Sequence, residues 1–374
     1  MAAGKRAEDV TQMNQGLITV NAIGAGRWGP NLVRSLRNLP LVRVHQVADP
    51  DGARLELIAR RFPDVRTTTD VAATVTDDVA DAVVIATPVR THFDLARRAL
   101  QAGKHVFVEK PLCPTVEECE LLSELAEGRG LTLAVGHVFL FNAGIRKVRE
   151  ILDSGALGRV YHLHATRTNL GPIRDDVNAL WDLASHDLSI FQYWLGAGPS
   201  EVTAHGESYL KTGIEDVVLA SYRYPSGEMA SVQASWLNPR KVREITIVGE
   251  RKMIVWSDMD VIEPVRVYDK NVQTRSSAAY ADSLGGFQMQ IREGDVVIPH
   301  VSGSEPVAAE CEHFIECIRD GRPPINGAAL ATDVVRALAA TDESLRRRGA
   351  MALIGKGRGP SGGRVRAARV AAGA

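Results

Sequence analysis

LITVNAIGAGRWGPNLVRSLRNL, residues 17–39, decides the fold. Residues 17–23 are a β-branched apolar run of strand type. GAGRWG follows, and PNLVRSLRNL has helical spacing with Pro30 in the first turn. Gly24, Gly26 and Gly29 thus form GxGxxG between a strand and a helix. Alone the string is weak and fits an ordinary turn. In this setting the three glycines serve a tight turn, close approach of backbone to a pyrophosphate, and close helix–strand packing. The helix start offers free N–H groups to phosphates, with Arg27 and Trp28 inside the same loop. Asp49 ends the next strand 20 residues after Gly29, where a carboxylate accepts hydrogen bonds from an adenosine ribose. Its charge disfavours a 2′-phosphate, so NAD is expected before NADP.

The same alternation continues outward. Strand-type runs VRVHQVAD (42–49), DAVVIATP (81–88), HVFVEKP (105–111) and LTLAVGH (131–137) alternate with helical patterns at 53–62, 92–103 and 116–130. Short loops join them, which predicts a doubly wound parallel sheet with helices on both faces. After Arg146 the character changes. A helix at 145–155 leads into the alternating VYHLHATRT (160–168), and further strand runs follow with turn residues between them. These fit a large open, mainly antiparallel sheet with one covered face. Helical stretches at 181–196, 308–321 and 329–349 complete the chain. The organisation expected is a flexible arm (1–16), a Rossmann domain (17–140), an α/β substrate and oligomerisation domain (141–350), and a disordered basic tail (351–374).

Composition narrows the class. The 374 residues are 45% hydrophobic and 24% charged, enough for two or three packed domains of ~150 residues each. Forty-four basic residues against 45 acidic leave a net charge of −1, which gives no excess to drive nucleic-acid binding. No run approaches the ~18 apolar residues of a membrane helix, and the polar start MAAGKRAEDVTQMNQG has no signal-peptide stretch. Cys113, Cys119, Cys311 and Cys317 have neither metal-ligand spacing nor the density of a disulfide scaffold. A cytoplasmic protein with reduced thiols and no metal is expected.

Three polar clusters fall at the carboxyl ends of successive strands: ATP (86–88), EKP (109–111) and GH (136–137). In a doubly wound sheet those ends face one crevice. Lys110 there could hold a sugar hydroxyl, or its carbonyl product, through a charged hydrogen bond; alternatively it is a surface lysine paired with Glu109. Downstream, WDLASHD (181–187) places Asp182 and His186 four apart, on one face of a helix. A neutral imidazole can take a hydroxyl proton while a carboxylate one turn away orients it. The plainer alternative has Asp182 capping the helix and His186 packing on the sheet.

GAGRWG, AD (48–49), ATP, EKP and GH, in that order, resemble the Gfo/Idh/MocA oxidoreductase family over residues 17–350. The resemblance implies a Rossmann domain followed by an open-sheet domain, and reversible hydride transfer at a secondary alcohol of a sugar or cyclitol. It implies a catalytic Lys110 acting with Asp182 and His186, and subunits that form dimers or tetramers. The cofactor would lie across Gly24, Gly26, Arg27, Trp28, Gly29 and Asp49, with Thr87, Pro88, His92, Glu109 and Lys110 on the nicotinamide side.

NLGPIRDDVNALWDLASHDLSIFQYWLG (169–196) is similar to the nucleotide-sugar branch, especially UDP-sugar 3-dehydrogenases. His137, Arg167, Asn169 and Arg174 are then substrate candidates, the arginines facing a diphosphate unless they are ordinary exposed loop residues. The product would be a 3-keto sugar suited to a downstream aminotransferase. The rival readings are an NADPH-dependent 3-ketoreductase, which would place tyrosine where His186 stands, and an inositol or free-sugar dehydrogenase. A silent dinucleotide sensor has no chemical need for Lys110, Asp182 and His186 together. Ala143 stands where the family's HxFxFNP stretch has proline. An uncovered sheet face would also expose a large apolar surface, which favours self-association.

Overall fold

The computed structural model describes residues 16–274 and 289–355. The expected arm, except Gly16, and the expected tail beyond Gly355 lie outside those residues.

The first sheet has six parallel strands: β1 (Ile18–Ile23), β2 (Val42–Ala48), β3 (Arg66–Thr68), β4 (Ala82–Ile85), β5 (His105–Val108) and β6 (Leu133–Val135). Their order, β3-β2-β1-β4-β5-β6, is the doubly wound one, with its switch point between β1 and β4. Helices α1 (Gly29–Arg37), α2 (Gly52–Arg61), α3 (Val71–Thr76), α4 (His92–Gln101) and α5 (Val116–Arg129) connect these strands. Asp51 and Thr115 cap α2 and α5 through their side chains, and Gly130 ends α5 in the left-handed region.

Helix α6 (Ala143–Asp153) leads to the second sheet, built on β7 (Val160–Leu170). A π-helical stretch, Leu180–Ala184, and α7 (Ser185–Leu195) come next. They are followed by β8 (Glu201–Glu207), β9 (Val217–Arg223), β10 (Met229–Ser235), β11 (Leu237–Gly249), β12 (Met253–Ser257) and β13 (Val265–Tyr268). A ribbon of β14 (Asn271–Thr274) and β15 (Met289–Arg292) precedes the short β16 (Val296–Val297). The nine-stranded sheet is mainly antiparallel, with one parallel pair, β7 and β10. Its register aligns Ala220, Val232, Ala165, Ile245 and Trp256 in one buried row facing α7.

The neighbouring row on the other face is Ser221, Ser231, His164, Thr246 and Val255, with Leu219, Gln233, Thr166 and Glu244 beyond it. That face is mixed and largely polar, which corrects the expectation of a large apolar surface and removes the physical argument for self-association built on it.

The chain does not leave the first unit for good near residue 140. Helix α8 (Pro306–Asp320) returns to pack Val307, Cys311, Phe314 and Ile315 with Leu32, Leu36 and Phe107 of the Rossmann unit. Helix α9 (Ala328–Arg346) sets Ala331 and Val335 on one core and Val334 and Leu338 on the other, joining the two sheets. The expected tail also starts late: β17 (Ala352–Leu353) pairs with β8, and Ala352 is buried. Two residues of strand are too short to leave a sequence pattern.

Candidate active site

The glycine loop is built as its spacing demands. Gly24 has φ +98°, and a Cβ there would strike the Ala86 carbonyl. A Cβ on Gly29 would strike the Gly24 carbonyl, whereas Gly26 meets only the Arg54 guanidinium at 3.8 Å. The loop is therefore closed behind and open in front, and α1 begins with no side-chain cap on its first turn. Its N–H groups are free to meet phosphate. Asp49 is buried and already engaged: Oδ2 accepts from Ala25 N–H at 2.7 Å and Oδ1 from Asp51 N–H at 2.9 Å. It braces the loop, with a lone pair left on each oxygen. Arg54, absent from the sequence expectations, stands 3.8 Å from Asp49 and 3.2 Å from Asp51.

The three strand ends converge as expected. His92 ties two of them together, with Nδ1 2.9 Å from the Pro111 carbonyl and Nε2 2.9 Å from the Thr87 carbonyl. Burial lowers the His92 pKa, and a neutral imidazole has one N–H, so it donates to one of these carbonyls while its other nitrogen only abuts the second. Thr87 and Pro88 stay partly open, and Arg27 is exposed beside the loop.

Lys110 is no surface residue. Its Nζ donates to the Asp182 main-chain carbonyl at 2.7 Å and lies 3.6 Å from the Asp182 carboxylate. Burial lowers its pKa, while Asp182 opposes that shift. Asp182 sits in the π-helical stretch, not on a regular helix shared with His186. Its Oδ1 accepts from Arg174 at 3.2 Å and its Oδ2 from the Trp236 indole at 3.3 Å. Such wide turns recur at functional sites. His186 opens α7 edge-on to the Phe139 ring, with centroids 4.9 Å apart. Burial, then the charges of Lys110 and Arg167, hold its imidazole well below the ordinary range. Burial and Lys110 push His137 down to about 3. Both rings are neutral at pH 7.

Arg167 corrects the sequence expectation. It is a fully buried strand residue that grips Asp187 through contacts of 2.7–3.1 Å and stacks 4.5 Å from the Phe139 centroid. A diphosphate does not reach a cation so enclosed; Arg167 instead fixes Phe139, and Phe139 fixes His186. Asn169 donates to the Gly171 carbonyl within its own turn. Arg174 is half-exposed and shared between Asp176 and Asp182. Arg243, not expected, lies 5.8 Å from Phe139 and pairs with Asp258 at 2.9 Å. A cleft of about 300 Å³ opens beside Trp181, between Val89 and Pro114 of the first unit and Asp175, Asn178 and Asp342 of the second. Asp342 accepts from Trp181 Nε1 at 2.6 Å. Trp236 and Asp342 carry no motif signal, since their partners are distant in sequence, and Trp181 is only the unassigned first residue of WDLASHD.

Glu109 Oε1, His137 Nδ1 and Nε2, His186 Nδ1 and Arg167 Nη1 are all buried without a hydrogen-bond partner. Buried polar groups are rarely left so. These gather around Lys110, whose charge acts on Glu109, His137, His186 and Arg167. Among the described residues no group of three His, Cys, Asp or Glu side chains is placed to hold a metal, and no helix is long and apolar enough to cross a membrane.

Fold and site together define a dinucleotide-dependent oxidoreductase. Residues 18–137 match the oxidoreductase family with an NAD-binding Rossmann fold, and residues 145–255 match the GFO/IDH/MocA C-terminal domain. The chain belongs to the Gfo/Idh/MocA family and is an NAD-dependent enzyme of it. It is 28% identical over 319 residues to scyllo-inositol 2-dehydrogenase (NAD(+)) of Bacillus subtilis, covering 81% of this chain and 86% of that one. It is 34% identical over 256 residues to UDP-N-acetylglucosamine 3-dehydrogenase of Acidithiobacillus ferrooxidans, covering 65% and 72%. A solved structure of that enzyme superposes with a TM-score of 0.74 at 25% identity, over 88% of this chain and 98% of that one. GenD2 from gentamicin A biosynthesis, solved in complex with NAD, shares the fold with a TM-score of 0.73 at 23% identity, over 91% and 97%.

Proposed function

We propose that the enzyme oxidises a ring secondary alcohol, C3 of a UDP-hexose of the glucose or N-acetylglucosamine type, to a 3-keto sugar. The observation that carries this reading is the meeting of Lys110 and Asp182 beside two neutral, unpartnered imidazoles. NAD, held by Gly24–Gly29, Asp49 and Glu109, supplies the hydride acceptor. His186 takes the hydroxyl proton as the C–H bond breaks, because a neutral buried imidazole is a ready acceptor. The Lys110 ammonium donates to the same oxygen as it becomes a carbonyl, and Asp182 keeps that ammonium charged and aimed. His137 lies close enough to Lys110 to orient a neighbouring hydroxyl. Arg174 and Arg243 keep exposed edges for a diphosphate, in place of Arg167.

The resemblance to the UDP-N-acetylglucosamine enzyme supports a nucleotide sugar; the longer match to the scyllo-inositol enzyme supports a free cyclitol as the second reading. A 3-keto product would suit an aminotransferase. NADH formation from UDP-glucose, UDP-N-acetylglucosamine, its uronate and myo-inositol tests the choice. Turnover of inositol alone would replace the nucleotide-sugar reading.

A further inference from the structure

Glu310 belongs to α8, the helix that returns to the first sheet, and its side chain is fully buried there. Its Oε1 accepts from Asn326 Nδ2 at 3.2 Å, and the same nitrogen donates to the Val135 carbonyl at 2.7 Å. Gly136 comes next, and a Cβ built on it would press against the Glu109 carboxylate at 2.9–3.1 Å. Glu310, Asn326, the end of β6 and Glu109 thus lie side by side, near enough for the two carboxyls to act on each other. At its two ends, Glu310 Oε2 and Glu109 Oε1 are buried with no partner. A structural carboxylate in such a place is normally paired with a cation or fully hydrogen-bonded. Two incompletely bonded ones in one buried spot call for another account.

Glu109 also borders the cofactor. Trp28 of the glycine loop stands near it, and the Lys110 N–H donates to its Oε2 at 3.3 Å. The charged and titratable groups facing the two carboxyls are few. They are Lys110 after β5, with His137 after β6 beside that lysine, and Glu310 and Cys311 on α8. Of these, His137 and the Cys311 thiol are neutral at pH 7.

We propose that Glu109 and Glu310 are a proton-holding carboxyl pair that makes cofactor binding sensitive to oxidation state: NAD+ displaces the proton of Glu109, and NADH leaves it in place. The oxidised nicotinamide ring carries a positive charge that favours a carboxylate beside it; the reduced ring carries none. When NAD+ binds, the O–H bond of the Glu109 carboxyl breaks, its electron pair stays on oxygen and the proton passes to buffer. Glu310 keeps its own proton and acts as a positioning residue, a neutral acid supporting the new charge. Burial pushes Glu109 up to about 8, and burial with the charge of Glu109 pushes Glu310 well above the carboxylate range. Glu109 is therefore the first of the pair to ionise. The inference rests on NAD binding and not on the identity of the sugar.

The test uses the full chain with no sugar present, so its failure leaves the substrate reading untouched. Calorimetric titration with NAD+ and with NADH at pH 7, in phosphate and in Tris, counts protons from the difference in buffer ionisation heat. NAD+ is expected to release about one proton and NADH none, with NAD+ affinity rising by up to about tenfold per pH unit below pH 8. Glu310→Gln, which keeps a neutral donor, retains that profile, and Glu310→Leu moves its midpoint up by about one pH unit. Equal release with both cofactors, or none with either, overturns the proposal, as does a wild-type profile in Glu310→Leu. Should that variant not fold, Glu109→Gln decides: it is expected to bind NAD+ without releasing a proton, and continued release overturns the pair.

Discussion

The Lys110 ammonium donates to the main-chain carbonyl of Asp182 at 2.7 Å, and so joins the end of β5 to the π-helical entry of α7. A side chain of the first unit thus meets the backbone of the second. Because the acceptor is a carbonyl rather than only a carboxylate, the lysine is aimed by backbone as well as by charge. Burial lowers its pKa, and Asp182 opposes that shift.

Lys110→Met and His186→Ala should each lower kcat by about 10²–10⁴ while leaving NADH affinity nearly unchanged. Fluorescence titration of NADH alongside steady-state rates separates the two effects. Near-normal turnover in both variants would remove these side chains from the chemistry.

The pH profile of oxidation should be broad. His186, held below 6.5 by burial and by Lys110 and Arg167, remains an unprotonated base through mildly acidic pH. Lys110, lowered from 10.5 by burial, loses its proton earlier than a solvated lysine. In kcat measured at saturating substrate, the acid limb should lie below pH 6.5 and the alkaline limb below 10.5. An acid limb at 6.5 would place His186 in water instead.

Asp187→Ala leaves Arg167 buried and uncompensated beneath Phe139. Removing one partner of such a pair costs about 3–5 kcal/mol. Urea unfolding should show that loss, and kcat should fall with it because Phe139 no longer holds the His186 ring. A loss below about 1 kcal/mol would mean that water reaches the pair.

Arg54 stands 3.8 Å from the Asp49 carboxylate, where it offsets part of the charge that rejects a 2′-phosphate. Arg54→Glu should weaken NADP binding much more than NAD binding. Equal changes in the two affinities would show that the guanidinium does not reach the ribose.

Much of this site is legible in the sequence because its chemistry is local. The glycine loop, Lys110 and the ends of β4, β5 and β6 each follow a short apolar strand, so their place in a doubly wound sheet follows from pattern alone. Asp182 and His186 are recognisable as a pair, yet the π-helical turn between them has no sequence signature. Arg167 misleads because a lone charge on an alternating strand has the pattern of an exposed residue. Its partner Asp187 lies 20 residues away, across the gap between a strand and a helix. Trp236, Glu310 and Asp342 are invisible for the same reason: each gains its neighbours only when distant segments pack. Helix α8 has an ordinary amphipathic pattern, and nothing in it announces that its apolar face belongs to the first sheet.

Stability of the cofactor-free enzyme should peak near neutral pH. His137, His313 and His186 titrate in the native state below their ordinary 6.5, at about 3, about 4 and well below 6.5 respectively. Between those values and 6.5 the unfolded chain binds protons that the native chain does not, so stability rises with pH across that window. Glu109 and Glu310 work in the opposite sense. Their native values are raised above 4.5, Glu109 to about 8, so the native state binds more protons and stability falls as pH rises from 4.5. His45, His92 and His105 are lowered too, so the imidazoles outweigh these two carboxyls up to about 6.5; above it the carboxyls lower stability, each by up to ~1.4 kcal/mol per pH unit. The melting temperature should therefore climb to about pH 6.5 and decline towards 8. Glu109→Gln, which has no proton to lose, should flatten that decline without moving the acid side. A decline of unchanged steepness in this variant would show that Glu109 is already ionised in the folded enzyme.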